Sequence, residues 1–321
     1  MVESAVIELI AARVRVRPGV ALGIGDDAAA LDDDPATIVT IDLLVDGVHF
    51  RRATTDGRDL GHKALAVNLS DLAAMGARPV AAVVGLGLPA DLEAEELEAI
   101  YAGMEELAER HGLTVAGGDV TSAPALTIAV TALGRMPEGT APARRSGGRP
   151  GDLLCVTGAL GAGAAGLLVL DDPEIARDLP EAGDLAAAHR RPEPRLAAGA
   201  ALAAGGVHAL MDLSDGLALD AGRLARASGV AAVIDLDALP LAPGVAEVAR
   251  RAGQEPDVLA ATGGDDYELL AAIAPEDLDR LRDAAGLPLT PVGRLEAGVG
   301  LRAERAGVRV PLARLGWEHG A

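Results

Sequence analysis

A chain of 321 residues is longer than one ordinary domain, so two domains, each with its own core, are expected. Half of the residues are hydrophobic, which excludes a disordered chain, yet with one Phe, two Tyr and one Trp the packing must fall to Ala, Val, Leu and Gly. Acidic residues outnumber basic ones 48 to 28, a net charge of −20, so no basic stripe exists to hold nucleic acid or an anionic membrane.

Lys63 is the sole lysine, and the single cysteine, Cys155, excludes an internal disulfide or a zinc-finger-type cluster. Residues 1–10 carry Glu3 and Glu8 without a basic stretch, so no signal peptide is expected and the protein is placed in the cytoplasm. Strands are predicted over Thr37–Val45, 80–88 and 126–133, from their β-branched and apolar runs. Between the last two, Asp91 is read as the N-cap of a helix with Glu93, Glu95 and Glu96 in its first turns. Leu97, Ile100, Tyr101, Met104 and Leu107 recur on one face of that helix, and Gly112 ends it. Residues 136–151, with three prolines, four glycines and no apolar period, form the linker. We divide the chain there into domains 1–138 and 139–321.

Residues 153–170 carry no charge, but Gly158, Gly161, Gly163 and Gly166 interrupt them, and a membrane span needs about 20 strongly apolar residues. The stretch reads instead as a strand over Leu153–Thr157, a glycine turn and a helix. Residues 171–194 are charged and contain four prolines, which suggests surface structure. A further helix follows Ser214 and Asp215, through Leu217, Leu224 and Ala225 toward Gly229.

Six segments share one pattern, an apolar run followed by one or two aspartates, usually beside glycine. They hold Asp26-Asp27, Asp42, Asp71, Asp119, Asp212 with Asp215, and Asp265-Asp266. Aspartate in or at the end of a strand is costly unless something binds it, and adjacent glycines let backbone approach a ligand. Short carboxylates without His/Cys clusters suit a hard cation, Mg²⁺ before Zn²⁺, of the kind shared with substrate phosphates. Any one of these aspartates is more often a turn or cap residue: Asp71 is placed to cap a helix over 72–75, and Asp215 the helix after it. Gly161-Ala-Gly163-Ala-Ala-Gly166 fits the dinucleotide pattern G-x-G-x-x-G, but no second strand ending in an acid follows it at the required spacing.

Read in order, the segments Gly23-Ile-Gly-Asp-Asp-Ala-Ala29, Asp42 to Phe50, Lys63 to Pro79, Ala116 to Val120, Arg145 to Asp152, Met211 to Asp220 and Gly263 to Leu270 resemble the thiamine-monophosphate kinases. That family belongs to the superfamily of the aminoimidazole ribonucleotide synthetases. The resemblance implies an α/β (α+β) fold of two domains, the N-terminal sheet closing a barrel with its twin in a homodimer and the C-terminal domain an α/β sandwich. It implies direct in-line transfer of the ATP γ-phosphoryl group to thiamine monophosphate, giving thiamine diphosphate, with several Mg²⁺ ions and no covalent intermediate or assigned general base. By the same resemblance Asp26, Thr40, Asp42, Asp71, Asp119, Asp212 and Asp215 hold Mg²⁺, and Tyr101, Gly118, Asp119, Arg145 and Ser214 meet the nucleotide. His49, Asp265 and Trp317 hold the acceptor, the indole suiting a cationic thiazolium. The chain departs from the family pattern at Ile41 for Thr or Ser, Val120 for Thr, Gly148 for Ala, Asp265 for Glu, and Gly320 after His319. Rival readings are another ATP-using member of the superfamily, a non-catalytic Mg-nucleotide sensor and an NAD-binding oxidoreductase.

Overall fold

The structure is a computed structural model, and it describes residue 5, residue 7, residues 18–32 and residues 36–318. Most of residues 1–10, read for a targeting signal, and His319 with Gly320 lie outside the described residues.

Six strands build the first sheet: β1 (Val20–Leu22), β2 (Ala29–Leu31), β3 (Thr37–Val45), β4 (Arg78–Leu88), β5 (Thr114–Ser122) and β6 (Thr127–Arg135), in the order β1-β2-β3-β6-β4-β5. β3 and β6 pair antiparallel without a break from Thr37 opposite Arg135 to Val45 opposite Thr127. β5 lies parallel to β4 at the edge, reached through helix α2 (Ala94–His111). The period of two sorts β3: Ile38, Thr40 and Leu44 are buried, while Ile41 and Leu43 are exposed. Asp42 therefore shares the inner face with Thr40.

Across that inner face lies helix α1 (Gly57–Met75), which was legible only as its last turn. It is capped by the Asp56 carboxylate accepting from the Asp59 N–H, and ends on Gly76 with φ +75°. Asp71 is inside this helix and does not cap it. α1 is covered on nearly every side, because the sheet, α2 and the C-terminal domain all pack on it. Gly61 and Gly103 set the α1–α2 approach, since a Cβ on either would stand within 2 Å of the other helix's backbone oxygen, at 1.8 Å and 1.9 Å. α2 starts at Ala94 behind Glu93, and Asp91 is an ion-pair partner of Arg52 rather than its cap. Ile100, Met104 and Leu107 form the buried face of α2, but Tyr101 is exposed.

Residues 136–151 contain no helix or strand. After them come β7 (Leu153–Thr157), α3 (Ala162–Asp171), α4 (Pro173–Ala176), α5 (Ala182–Arg190), α6 (Leu196–Ala204), β8 (Ala209–Asp212), α7 (Leu217–Ser228), β9 (Ala231–Asp235), α8 (Val245–Arg251) and α9 (Pro256–Thr262). β10 (Leu269–Ile273), α10 (Leu278–Ala285), β11 (Leu289–Glu296), β12 (Gly300–Arg305) and β13 (Val308–Val310) complete the chain. The second sheet runs β13-β12-β9-β11-β7-β10-β8. Strand, glycine turn and helix follow each other from Leu153 to Asp171, as the uncharged run predicts.

At β7, β8 and β10 the second sheet is buried on both faces. Leu269, Ala271 and Ile273 of β10 join the core around α1, whereas Leu270 and Ala272 join the core under α7 and α9. One apolar core thus runs from the first sheet through α1 into the second, holding the loops of both domains against each other. The proline-bearing stretch after α3 is less superficial than its charge suggests: Ile175, Leu179 and Leu185 are buried in a third cluster. No helix among the described residues is long and apolar enough to cross a membrane.

Candidate active site

Three carboxylates from distant parts of the chain converge: Asp27 from the turn before β2, Asp71 from α1 and Asp212 from the end of β8. Each offers an oxygen, and these oxygens lie within 4.8 Å of one another. Hydroxyls orient them: Thr40 donates to Asp71 Oδ2 at 2.5 Å, and Ser70 donates to Asp212 Oδ2 at 2.7 Å. Asn68, one turn before Asp71, accepts the Asp42 N–H at 3.0 Å and fixes β3 against α1. Arg145 forks onto Asp27 at 2.9 and 3.0 Å, and its backbone N–H donates to Asp26 Oδ1 at 2.8 Å.

One guanidinium does not neutralise so many acids. Burial, and then the charges of Asp42, Asp212 and Asp27, push the Asp71 carboxyl well above the usual carboxylate range. Burial and then Asp27 do the same to Asp212. Asp42 is pushed up to about 6, by burial and then by Asp215. Burial raises Asp26 as well. Buried, oxygen-only, mutually repelling ligands of this kind fit a hard divalent cation, because a cation removes the repulsion that burial enforces.

A second acidic group lies at the start of α7. Asp215 does not cap this helix. The buried Asp220 carboxylate reaches back instead, accepting from the Asp215 and Gly216 N–H groups at 3.1 and 3.2 Å, while Arg223 pairs with both acids. The C-terminal segment is laid over this turn by hydrogen bonds from the Trp317 N–H to the Asp215 carbonyl (2.9 Å) and from the Leu219 N–H to the Leu315 carbonyl (3.0 Å). Trp317 is thereby kept half-exposed beside the carboxylates.

The third group surrounds Asp265. Lys63 Nζ lies 2.9 Å from Asp265 Oδ2, His189 Nδ1 lies 3.2 Å from the same oxygen, and the Tyr267 hydroxyl donates to Oδ1 at 3.1 Å. Burial opposes the charge of Asp265, but the Lys63 ammonium, His189 and Tyr267 outweigh it and hold the carboxyl below its ordinary range. Burial, and then Lys63, push His189 down to about 4. His49 is fixed through Nδ1, which accepts the Val45 N–H at 3.1 Å.

All three groups open on one cavity of about 1190 Å³ between the two sheets. Asp26, Thr40, Asp42, Asp71, Asp212 and Asp215 line it, with Arg145 and Ser214, and so do His49, Asp265 and Trp317. Tyr101, Gly118 and Asp119 are outside this lining and exposed. Gly118 has a packing reason to be glycine, because a Cβ there would stand 1.9 Å from the Val84 carbonyl oxygen. The Gly161 turn does not offer its amides to a pyrophosphate: the Asp266 carboxylate accepts from Gly161 and Gly163 N–H, at 2.8 and 3.2 Å. The anion position of a dinucleotide turn is filled from within the chain.

Sequence reasoning placed Asp27 in the aspartate pattern but assigned the metal role to Asp26, and it gave no role to Lys63, His189, Asp220 or Tyr267. Two signals were available, Asp27 standing next to Asp26 in the same glycine turn and Lys63 being the only lysine in the chain. His189 had no motif.

Residues 25–136 match the model for the N-terminal domain of AIR synthase related proteins, and residues 149–305 match that for the C-terminal domain. A thiamine-monophosphate kinase of Rhodopirellula baltica is 36% identical over 311 residues, covering 93% of this chain and 91% of that protein. One of Mycobacterium tuberculosis is 40% identical over 273 residues, covering 84% and 80%. The chain belongs to the AIR synthase related family, among its thiamine-monophosphate kinases. A solved structure of this kinase family, AaThiL complexed with AMPPCP and TMP, superimposes with a TM-score of 0.86 at 32% identity, covering 99% of this chain and 97% of that one. In this chain the inter-sheet cavity is lined by residues of both matched domains.

Proposed function

We propose that this chain phosphorylates thiamine monophosphate from ATP, forming thiamine diphosphate and ADP in the cytoplasm. The observation that carries the reading is the convergence of Asp27, Asp71 and Asp212 at a cavity that also presents Trp317, His49 and Asp265. The likeness to AaThiL, complexed with AMPPCP and TMP, supports it.

The residues divide the work. Asp26, Asp27, Thr40, Asp42, Asp71, Asp212 and Asp215 would hold Mg²⁺, which supplies charge neutralisation to the transferring phosphoryl oxygens and the departing ADP. Ser214 and Arg145 would meet the nucleotide, the guanidinium now paired with Asp27 supplying a fork for phosphate. Trp317 would offer its face to the thiazolium, with His49 and Asp265 on the polar edges of the acceptor. An oxygen of the acceptor phosphate attacks the γ-phosphorus of ATP, and the bond from that phosphorus to the β,γ-bridging oxygen breaks. The attacking oxygen is already ionised, so no side chain need take a proton, and catalysis rests on alignment and charge.

We propose further that the chain, divided into domains 1–138 and 139–321, acts as a homodimer, with the first sheets of two copies closing a barrel. Ile41, Leu43, Val80 and Val83 make its outer face apolar and exposed, a surface that calls for a cover. Asp119, Gly118 and Tyr101 lie outside the cavity of their own chain, and a second copy on that face is what would bring them to a site. The test of the reaction is direct. Purified protein with Mg²⁺, ATP and thiamine monophosphate is expected to give one thiamine diphosphate per ADP by chromatography, and none with EDTA. ATP binding without that product would move the acceptor to another phosphate of the superfamily.

A further inference from the structure

Lys63 is 2% exposed, on a helix that is covered on nearly every side, and it reaches a carboxylate 202 residues away in the chain. A buried ion pair is weak evidence of stabilisation, since an apolar pair of similar volume often does as well. The partner loop explains why a lysine stands there. Asp265 and Tyr267 have φ of +67° and +49°, left-handed conformations that side chains other than glycine adopt at a cost. Hydrogen bonds from the Asp265 N–H to the Ser214 carbonyl and from the Tyr267 N–H to the Leu213 carbonyl, both 2.8 Å, tether this strained loop to the segment that carries Asp212 and Asp215. Its side chains are held from α1 and from within: Lys63 takes Oδ2 of Asp265, and Tyr267 takes Oδ1. His189 closes the remaining side of Oδ2. All four groups line the cavity.

We propose that Lys63, with Tyr267, is the positioning residue of the acceptor site, fixing the Asp265 carboxylate so that it selects an acceptor bearing a cationic or N–H-donating heterocycle. This rests on the acceptor reading given above and names its specificity device. The reach of Asp265 into the cavity is set by where this loop stands.

Steady-state kinetics of the full-length enzyme test it. Lys63→Met is expected to raise the KM for thiamine monophosphate about 10- to 100-fold, the size of a lost charge-assisted hydrogen bond, with the ATP KM within about twofold and kcat changed less than KM. Lys63→Arg, which keeps the cation, is expected to restore part of the loss. An unchanged acceptor KM, or equal rises for both substrates, overturns the proposal. If Lys63→Met does not fold, Tyr267→Phe removes the other anchor without stranding a charge, and an unchanged acceptor KM there overturns it equally. Asp265→Asn separates this inference from the one beneath it. An unchanged acceptor KM in Asp265→Asn removes Asp265 from the acceptor site altogether. A raised KM in that variant with an unchanged KM in Lys63→Met overturns the positioning role alone. Fluorescence of Trp317, the only tryptophan, gives the acceptor Kd independently of turnover.

Discussion

Replacing Asp71 by Asn is expected to stabilise the metal-free protein while disabling it. The asparagine keeps the shape and the acceptor for the Thr40 hydroxyl, and removes only the charge. In the folded protein burial and then Asp42, Asp212 and Asp27 raise the Asp71 carboxyl well above its ordinary range, whereas in the unfolded chain it ionises normally. Protonating it at pH 7 costs at most about 1.4 kcal/mol for each of the roughly three pH units above an ordinary carboxylate, so about 4 kcal/mol is the ceiling of the gain. Across a chain of this size that is a Tm higher by roughly 2–8 °C, read by scanning calorimetry in EDTA at pH 7. The difference should vanish below about pH 3, where the wild-type carboxyl is protonated in both states. In Mg²⁺ and both substrates, turnover should fall about 10²- to 10³-fold, the usual cost of one group aimed at transition-state charge. A metal-free variant less stable than wild type, with near-normal turnover, would refute the reasoning.

The same electrostatics gives a pH profile. Folded-state values of about 7 for Asp220 and Asp266 lie above their unfolded values, each set first by burial, so the stability they add is complete below about pH 4 and is lost progressively as pH rises through 7. Histidines His62, His111 and His189 are shifted down by burial, and their opposing effect is half spent at about pH 6.5, the value of unfolded histidine, and fades above it. From about pH 6.5 metal-free protein should therefore lose only the remainder of that stability, levelling off by about pH 8, and a Tm that rises across this interval would contradict this. Cys155 is fully buried with its thiol pushed up to about 12, so it should resist thiol reagents until the protein unfolds; rapid labelling of native protein would count against the core as described. Trp317→Ala should raise the KM for thiamine monophosphate more than that for ATP, whereas equal rises would make it a structural anchor. Ile41→Asp, on the outer face of the first sheet, should give a monomer with lost activity by light scattering and assay; an active monomer would sink the dimer reading.

The aspartates were legible because the residue type is out of place: an acid within Thr37–Val45 or at the end of β8 has no stabilising reason to be there. Strands with a strict period, such as β3, were legible for the converse reason. Helix α1 was largely missed because a helix buried on nearly every side has no polar stripe to set its period. The Lys63–Asp265–His189 contacts had no sequence signature, since they exist only once α1 and the loop before β10 are packed together. That Asp27 rather than its neighbour Asp26 converges with Asp71 and Asp212 is likewise seen only in space. Tyr101 followed the apolar period of α2 and is exposed nonetheless, because helical spacing cannot tell the edge of a buried stripe from its centre.

The claim at the centre of this account is that metal held by the protein's own carboxylates, beyond the ion carried by ATP, enables the transfer. It is tested most directly by titrating free Mg²⁺ at fixed, saturating MgATP and thiamine monophosphate. Turnover is predicted to keep rising with free Mg²⁺ in the wild type and to lose that dependence in Asp71→Asn. A wild-type rate already at its maximum when metal only matches ATP would contradict the account.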